Sequence, residues 1–425
     1  MPRDDIDHWQ ETTFGPRCDC RHNNSSIASF ELNSIQGVDV RKTLLTVGVV
    51  LATALTACGT QAGEGDAGGP IKLGAWLPLS GPQASGGLPQ EAGTHAFFDQ
   101  LNEAGGIHGR PVEWTPVDNA FDPQQTIQVA RQLVSRDRVV AIVNANGTAT
   151  TEATFPFVLE QNDIPIFGTY GGSTAWYDPP RDALFGSQTL YENQARAAAQ
   201  WALHEGAKKV TIIRNDPAAF VNVGAVATTE LEKAGAEVST VEVKLGTTDY
   251  SPFVSQIRSA APDAVLTILP IQEAAAYLNE MALQGVEIPS YGYSPTVGNS
   301  LLDLAGTNAE GFRAVSLTLP PTADNPEVEE YRQALAKYKP GEKPDFYSLA
   351  TYGSAKAFAQ VLASIDGEIT SKSITDAIVT SGTLDTGVMP PLTFGADEHL
   401  GTDSVVRVQV EGGKFVPIGD FVSPQ

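Results

Sequence analysis

Histidine, cysteine and acidic side chains are the groups of this chain that could act as nucleophiles, bases or metal ligands. A nucleophile needs a base within hydrogen-bond reach, and a metal site needs closely spaced ligands. The chain contains no G-x-S-x-G elbow, H-E-x-x-H pair, C-x-x-C pair or P-loop. Four histidines follow residue 60, far apart along the chain: His95, His108, His204 and His399. We therefore expect no enzyme activity, no cofactor and no metal site.

One cysteine stands in a context that predicts a specific modification. Arg41 and Lys42 precede an apolar run over residues 43–57, which is too short to span a bilayer comfortably and leads into the quartet LTAC, residues 55–58. A basic flank, an apolar run, small residues and a cysteine form the order of an export signal that ends in a lipobox. We expect Cys58 to be lipidated and to anchor the protein to the outer side of the cell membrane. The alternative is a buried apolar helix that contains a cysteine.

The segments on either side of this signal carry further expectations. Residues 58–70 are rich in glycine and without apolar periodicity, as in a flexible tether. Export signals begin close to their basic flank, but here residues 1–37 stand between the start of the chain and the signal. We hypothesise that translation starts at Val38, so that residues 38–57 are the signal peptide. The Cys-Asp-Cys sequence at 18–20 offers two ligands without a nearby third, too few to predict a metal site.

Charge and composition restrict the partners and the class of protein. The chain has 425 residues, enough for two ordinary domains, and 42% of them are hydrophobic, as in globular proteins. Its formal net charge is −23. Such an acidic surface repels phosphates, so we expect no nucleic acid partner. Only Cys58 follows the signal, so we expect no disulfide in the folded part.

Apolar strands alternate with amphipathic helices from residue 71 onward. The pattern predicts strands at 71–77, 112–117, 139–143, 164–167, 210–214, 237–243, 264–269 and 290–293, with short pieces at 392–394 and 404–410. It predicts helices at 90–103, from 122, and at 152–161, 193–205, 223–234, 251–259, 272–284, 326–337 and 346–365. Strands spaced by such helices form right-handed βαβ units and parallel sheets.

The alternation restarts near residue 190, which predicts an α/β protein of two doubly wound parallel-sheet lobes. Ligands of open α/β sheets bind at the carboxyl ends of the strands. Two lobes that face each other would place those ends around one cleft. This geometry predicts a hinged binding protein that closes on a small solute.

Six segments, in this order and spacing, resemble one family of proteins. The stretches IKLGAWLPLSGP (71–82), LNEAGGIHGRPVE (101–113), DNAFDP (118–123), IPIFGTYGGS (164–173), AEGF (309–312) and PPLTF (390–394) resemble the branched-chain (Leu/Ile/Val) amino-acid-binding type of periplasmic solute-binding protein of ABC importers. The resemblance covers residues 71–415 and implies a type I periplasmic binding protein fold with a three-strand hinge. It places the crossings near 187–191, 317–321 and 386–390. The lobes would be 71–188 plus 320–387 and 191–317 plus 389–425.

The resemblance also implies which residues contact a ligand. In the family, the carboxylate and the amine of the ligand lie against two loops of the first lobe, which here are residues 144–151 and 168–174. The candidates on these loops are Asn146, Gly147, Thr148, Thr150, Tyr170, Gly171, Gly172 and Ser173. The candidates of the second lobe are Phe220, Gln272 and Tyr293, with Phe220 as a cover over the ligand. Each of them could instead serve as a cap, turn or core residue.

Two positions depart from the family pattern. Pro295 stands where the amino-acid binders have a carboxylate for the ammonium of the ligand, and Gly86 stands where an aromatic residue is expected. An unpaired ammonium in a closed cleft is costly unless Asp216 or Glu273 pairs with it. The sequence thus predicts a small polar ligand, which is an amino acid or a related carboxylate, amide or urea-like compound.

The resemblance implies a monomeric extracytoplasmic receptor that captures its ligand between the lobes and then docks on ABC permease subunits. Ligand held between the lobes would favour the closed form over the open form. The alternative is a sensing receptor domain of the same fold that signals to a membrane partner without transport. Neighbouring permease genes would favour transport, and a neighbouring sensor kinase gene would favour sensing.

Overall fold

The structure is a computed structural model and describes residues 68–424. The predicted signal peptide, Cys58 and most of the tether lie outside the described residues. Within residues 68–424, no helix is both long enough and apolar enough to cross a membrane.

The first part of the chain forms a parallel sheet with helices around it. Its elements are β1 (Ile71–Leu77), α1 (Ala84–Glu103), β2 (Val112–Asp118), α2 (Pro123–Arg131, followed by a π-helical turn at Gln132–Asp137), β3 (Ala141–Val143), α3 (Thr148–Glu152), α4 (Phe155–Val158), β4 (Ile166–Phe167), α5 (Thr174–Tyr177) and β5 (Leu184–Phe185). The strand order is β2-β1-β3-β4-β5, all parallel. Asp122 caps α2 at the predicted helix start, since its Oδ1 accepts a 2.7 Å hydrogen bond from the backbone N–H of Gln125.

The next part repeats this arrangement. Its elements are α6 (Tyr191–His204), β6 (Lys209–Asn215), α7 (Ala218–Lys233), β7 (Glu237–Val243), α8 (Ser251–Ala260), β8 (Ala264–Ile268), α9 (Ile271–Leu283), β9 (Ser290–Gly292), α10 (Asn299–Ala305) and β10 (Arg313–Ser316), with 3-10 turns at Ser294–Thr296 and Gly306–Ala309. The parallel strands follow the order β7-β6-β8-β9-β10, the same as in the first sheet. Two successive βα series therefore build two lobes of like topology.

The last part of the chain visits both lobes. It forms α11 (Pro326–Tyr338), α12 (Phe346–Ala363), α13 (Ser371–Thr380), β11 (Thr383–Leu384), β12 (Leu392–Thr393), β13 (Val406–Glu411) and β14 (Lys414–Pro417). Helix α12 packs closely on α1, because a Cβ on Gly93 would lie 2.0 Å from the carbonyl oxygen of Ser348. Strands β13 and β14 add an antiparallel hairpin to the edge of the second sheet at β10. The predicted pair of doubly wound lobes is confirmed, but the second sheet is mixed rather than wholly parallel.

The third crossing lies later in the chain than the expected 386–390. Strand β12 pairs with β11, and Phe394 packs on Phe167 and Phe185 of the first sheet, with ring centroids 5.7 and 5.8 Å apart. The PPLTF segment thus packs with the first lobe rather than the second, with Leu392 and Phe394 buried. Gly401 still pairs with Gly186, through a backbone hydrogen bond of 2.8 Å, before β13 enters the second sheet. Residues 389–401 therefore pack with the first lobe.

Candidate functional site

A cavity of about 310 Å³ lies between the two lobes. Strands β1 to β4 and β6 to β9 are each followed by at least one residue of its wall. The cavity thus occupies the carboxyl ends of both sheets, which is where open α/β sheets bind ligands. Its size lies at the lower end of the range for small-molecule sites.

The first lobe contributes a loop that is held in place from behind. Asn144, at a φ of 59°, donates through Nδ2 to Thr94 Oγ1 at 3.0 Å and to the carbonyl oxygen of Thr351 at 2.8 Å. Asn146 donates to Gln90 Oε1 at 2.9 Å. These buried hydrogen bonds tie the loop to α1 and α12. The loop therefore presents Asn146, Gly147 and Thr148 to the cavity in a fixed position.

Several of the candidate residues support the wall without forming part of it. The hydroxyl of Thr150 donates to the carbonyl oxygen of Asn146 at 2.8 Å, and the backbone N–H of Gly172 donates to Thr148 Oγ1 at 3.1 Å. A Cβ on Gly171 would lie 3.0 Å from the backbone nitrogen of Thr148, so these two segments are in close contact. Ser173 precedes α5. The Thr150 hydrogen bond thus holds its own loop, and the Gly172 hydrogen bond joins the two loops. Thr150, Gly171, Gly172 and Ser173 do not line the cavity.

The second lobe presents a mainly apolar wall. Phe220 and Tyr293 line the cavity as proposed, beside residues that carry no side-chain donor or acceptor: Pro217, Ala219, Val223, Leu245, Pro270 and Pro295. Gln272 does not line the cavity. Its Nε2 donates instead to Ser85 Oγ of the first lobe at 2.5 Å. Gln272 therefore joins the lobes rather than facing the cavity.

Four tyrosines from both lobes converge on the cavity: Tyr170, Tyr191, Tyr293 and Tyr347. The rings of Tyr170 and Tyr347 are 5.0 Å apart, and those of Tyr191 and Tyr293 are 5.7 Å apart, edge to face. Burial raises the pKa of all four phenols above the usual value. These groups therefore remain neutral O–H donors at physiological pH.

Tyr347 connects the two positions that depart from the family pattern. A Cβ on Gly86 would lie 3.7 Å from the ring of Tyr347, so this ring occupies the space beside the glycine. The hydroxyl of Tyr347 donates to the carbonyl oxygen of Pro295 at 3.2 Å. An aromatic ring from α12 thus stands next to the glycine where the family has an aromatic side chain.

The cavity wall carries no formal charge. Among the residues that the structure describes, no Asp, Glu, Lys, Arg or His lines this cavity. Asp216 accepts from the backbone N–H of Leu245 at 2.9 Å. Glu273 accepts from Asn215 Nδ2 and from the backbone N–H of Gly246, both at 2.8 Å, and from the hydroxyl of Tyr250. The two carboxylates considered as partners for an ammonium are therefore engaged elsewhere in the second lobe.

A carboxylate beside the cavity joins the lobes. Asp345 accepts from the backbone N–H of Tyr347, in its own helix, at 2.9 Å and from that of Asn299, at the start of α10 in the second lobe, at 2.7 Å. Burial raises the pKa of Asp345. One side chain thus caps a helix in each lobe, and an opening of the cleft that separates these helices breaks one of the two caps.

The sequence left several wall residues unassigned, above all Tyr191, Tyr347 and Phe121. Tyr191 stands at the expected first crossing. Because crossing segments border the cleft, this position could have predicted that Tyr191 lines the cavity. Tyr347 belongs to a helix that returns to the first lobe far along the chain. No local pattern distinguishes its cavity-facing ring from a core residue. No group of three or more His, Cys, Asp or Glu that could hold a metal occurs within residues 68–424.

The family described as periplasmic binding protein matches residues 70–414. The chain belongs to this family. A Leu/Ile/Val-binding protein homolog of Brucella suis is 25% identical over 327 residues, which are 76% of this chain and 84% of the relative. The family match and this relative confirm the resemblance found in the sequence. Membership of the family indicates that this periplasmic binding protein is extracytoplasmic and binds small molecules.

Two solved structures illustrate the fold. A branched-chain amino acid ABC transporter protein of Thermus thermophilus with bound valine gives a TM-score of 0.75 at 19% identity, over 84% of this chain and 97% of the other. A fatty acid ABC transporter substrate-binding protein of Thermomonospora curvata gives 0.76 at 20% identity, over 84% and 92%. At this identity the likeness shows the type I fold alone. One of these two proteins of the same fold has valine bound, and the other is a fatty acid ABC transporter substrate-binding protein.

Proposed function

We propose that this periplasmic binding protein is the extracytoplasmic receptor of an ABC importer and captures a small ligand by hinge closure. The observation that carries the proposal is the cavity walled by both lobes at the carboxyl ends of both sheets. A ligand in this position contacts both lobes only when they are closed. Its binding energy therefore shifts the population toward the closed form, which a permease can recognise. The role is binding and delivery, without catalysis.

The ligand in this proposal is an amino acid or a related carboxylate, amide or urea-like compound. The uncharged wall favours the compounds without an ammonium, since Pro295 offers only a carbonyl oxygen, which already accepts from Tyr347. The apolar second-lobe wall adds an apolar part to the small polar ligand expected from the sequence. Part of the ligand must be apolar to match the prolines and phenylalanines around it.

The proposal includes a lipid anchor at Cys58, monomeric receptors, and permease subunits as partners. The order of basic flank, apolar run and LTAC quartet supports the anchor. The substitution Cys58→Ser tests it, because a protein without the acylated cysteine should move from the membrane fraction to the soluble fraction. Retention of the variant in the membrane fraction would contradict the anchor.

Two measurements test capture by closure. A thermal-shift screen of amino acids, aromatic acids, amides and ureas should identify a ligand, and saturation at 100 times its Kd should add about 2.7 kcal/mol to the free energy of unfolding. Small-angle scattering should then show that the radius of gyration falls as ligand is added, because the closed form replaces the open form. A tight ligand that leaves the radius of gyration unchanged contradicts hinge closure.

A further inference from the structure

The wall of the interlobe cavity combines aromatic rings and hydroxyl donors with an absence of formal charge, and we propose that its ligand is an aromatic carboxylate without an amino group. This inference rests on the proposed receptor function and adds the ligand class. It follows from three features of the wall. These are the shape of its apolar part, the supply of hydrogen-bond donors, and the lack of a partner for a cation.

The apolar part of the wall suits a flat body. Phe121 approaches from the first lobe and Phe220 from the second, and the four tyrosine rings complete the enclosure. Aromatic rings gain from edge-to-face and offset contacts with another ring, beyond the burial of area. A cavity of about 310 Å³ holds a single ring with a short side chain. An aromatic ligand therefore uses more of this wall than a branched aliphatic ligand does.

The polar part of the wall supplies donors that lack protein acceptors. The hydroxyls of Tyr191 and Tyr293 have no hydrogen-bond partner within residues 68–424, although Tyr293 is only 4% exposed. The hydroxyl of Thr148 accepts from the backbone N–H of Gly172, which leaves its own proton free to donate. Both tyrosines line the cavity, so an acceptor on a bound ligand can take hydrogen bonds from these hydroxyls. A carboxylate accepts several such hydrogen bonds at once, and hydrogen bonds to an ionised group are the strong ones.

The same wall offers no carboxylate to an ammonium group. No carboxylate lines the cavity among the described residues, and the two carboxylates considered as partners for an ammonium, Asp216 and Glu273, accept hydrogen bonds within the second lobe. An ammonium in the closed cavity would lose its hydration without gaining an ionic partner. Free amino acids are therefore poor ligands, whereas the acids that lack only the amino group are good ones.

Calorimetric titrations of the purified protein with matched pairs test each feature separately. 3-Phenylpropanoate differs from phenylalanine in lacking the ammonium group. Benzoate differs from cyclohexanecarboxylate in having an aromatic ring, and it differs from benzamide in carrying a charge. We expect 3-phenylpropanoate to bind about 100-fold more tightly than phenylalanine, since an unpaired buried charge is costly. We expect benzoate to bind more tightly than cyclohexanecarboxylate and benzamide, each by about fivefold or more.

A hydroxyl deletion locates the binding site. Tyr293→Phe keeps the ring and removes the donor, so the affinity for benzoate should fall by about tenfold or more. Tyr277→Phe is the matched control. Tyr277 is a buried tyrosine of the same lobe whose hydroxyl pairs with Ser290 Oγ at 3.0 Å, outside the cavity wall. This control should leave the affinity unchanged even if the melting temperature falls.

The outcomes separate the ligand class from the receptor function. Phenylalanine or leucine binding as tightly as 3-phenylpropanoate or 4-methylpentanoate would overturn the exclusion of ammonium. Tighter binding of cyclohexanecarboxylate or benzamide than of benzoate would overturn the aromatic acid. In both cases a ligand that compacts the protein leaves the receptor function standing. A tight ligand that causes no compaction is instead a failure of the proposed function, whatever its class.

Discussion

The two walls of the cavity differ in chemistry although the two sheets behind them share one strand order. The non-tyrosine polar side chains of the wall, Gln83, Asn146 and Thr148, belong to the first lobe. The second lobe presents prolines, Phe220 and other apolar residues, with tyrosine hydroxyls as its polar groups. The same topology thus carries an orienting wall and a covering wall. Chemistry here resides in the loops after the strands rather than in the fold.

The walls also differ in how firmly they are held. Buried side-chain hydrogen bonds from Asn144 and Asn146 fix the first-lobe loop to α1 and α12. The second-lobe wall begins at helix starts marked by Pro217 and Pro270, and packing rather than a side-chain network positions Phe220. We therefore expect the first lobe to set which ligand is oriented, and the second lobe to set how well it is covered.

Damage to the orienting wall should have the largest effect. Gly147 has a φ of 100°, and a Cβ there would lie 2.3 Å from Thr150 Oγ1 and 2.8 Å from the ring of Phe121. Gly147→Ala must therefore displace the loop, and we expect about a 100-fold loss of affinity, measured by titration with the ligand found in the thermal-shift screen. Gly105→Ala is the control, with a φ of 110° but no atom within 4 Å.

Both glycine variants adopt an unfavourable backbone conformation and should lose about 1 kcal/mol or more in the free energy of unfolding. Only Gly147→Ala should lose affinity. Equal losses of affinity in the two variants would mean that general destabilisation, and not the orienting loop, controls binding.

Removal of the cover should have a smaller effect. Phe220→Ala takes a ring out of the second-lobe wall while the orienting loop stays intact, so the affinity should fall by about tenfold through lost apolar burial. Phe253→Ala is the control, since Phe253 is a half-buried phenylalanine of the same lobe that packs on the core away from the cavity. It should lower the melting temperature and leave the affinity unchanged. The reverse pattern would contradict the covering role.

The elements of both lobes could be predicted because their sequences are locally decisive. IKLGAWL, the sequence of β1, is an apolar run buried on both faces, as expected for a central parallel strand. The Asp122-Pro123 pair starts a helix by capping and by its fixed φ. The prediction fails for the helix that follows the loop after β3. Of the helix predicted at 152–161, the structure keeps the short helix α4 (Phe155–Val158), and α3 (Thr148–Glu152) precedes it.

The cavity was only partly predictable for a different reason. Tyr293 ends one predicted strand and Tyr170 lies in the loop after another, so topology alone brings them to the cleft. The ring of Tyr347 reaches the cavity only through the packing of α12 on α1, which depends on contacts between distant parts of the chain. The hydroxyl of Thr150 bonds within its own loop and the backbone N–H of Gly172 joins the two loops, and the sequence does not reveal such pairings in advance.

The carboxylate of Asp345, which joins the two lobes, should have an intermediate effect on binding. Asp345→Asn leaves one acceptor oxygen for two backbone N–H groups, those of Tyr347 and Asn299, so the closed form should weaken and the apparent affinity fall about fivefold. Small-angle scattering without ligand should show a larger radius of gyration. An unchanged radius and affinity would mean that Asp345 only caps its own helix.

The same residue predicts a dependence on pH. Burial raises the pKa of Asp345, and the nearby charge of Asp303 raises it further. The folded protein then holds this proton more tightly than the unfolded chain. Its stabilising contribution is complete below the unfolded pKa and is lost as the pH rises through the folded pKa. The unfolding free energy of the wild type minus that of Asp345→Asn should therefore fall as the pH rises above about 4, as measured by urea titration. A rise over this range would contradict the sign.

The smallest effect should come from the hydrogen bond at the rim, where Gln272 Nε2 donates to Ser85 Oγ at 2.5 Å across the lobes. Gln272→Ala and Ser85→Ala should each weaken binding by about threefold, because a half-buried neutral hydrogen bond contributes about 1 kcal/mol or less. The double variant should lose no more affinity than either single variant, since both remove the same contact. Additive losses would mean that the two residues act separately. Gln272 and Ser85 would then each support the wall of its own lobe, and the hydrogen bond between them would not contribute to closure.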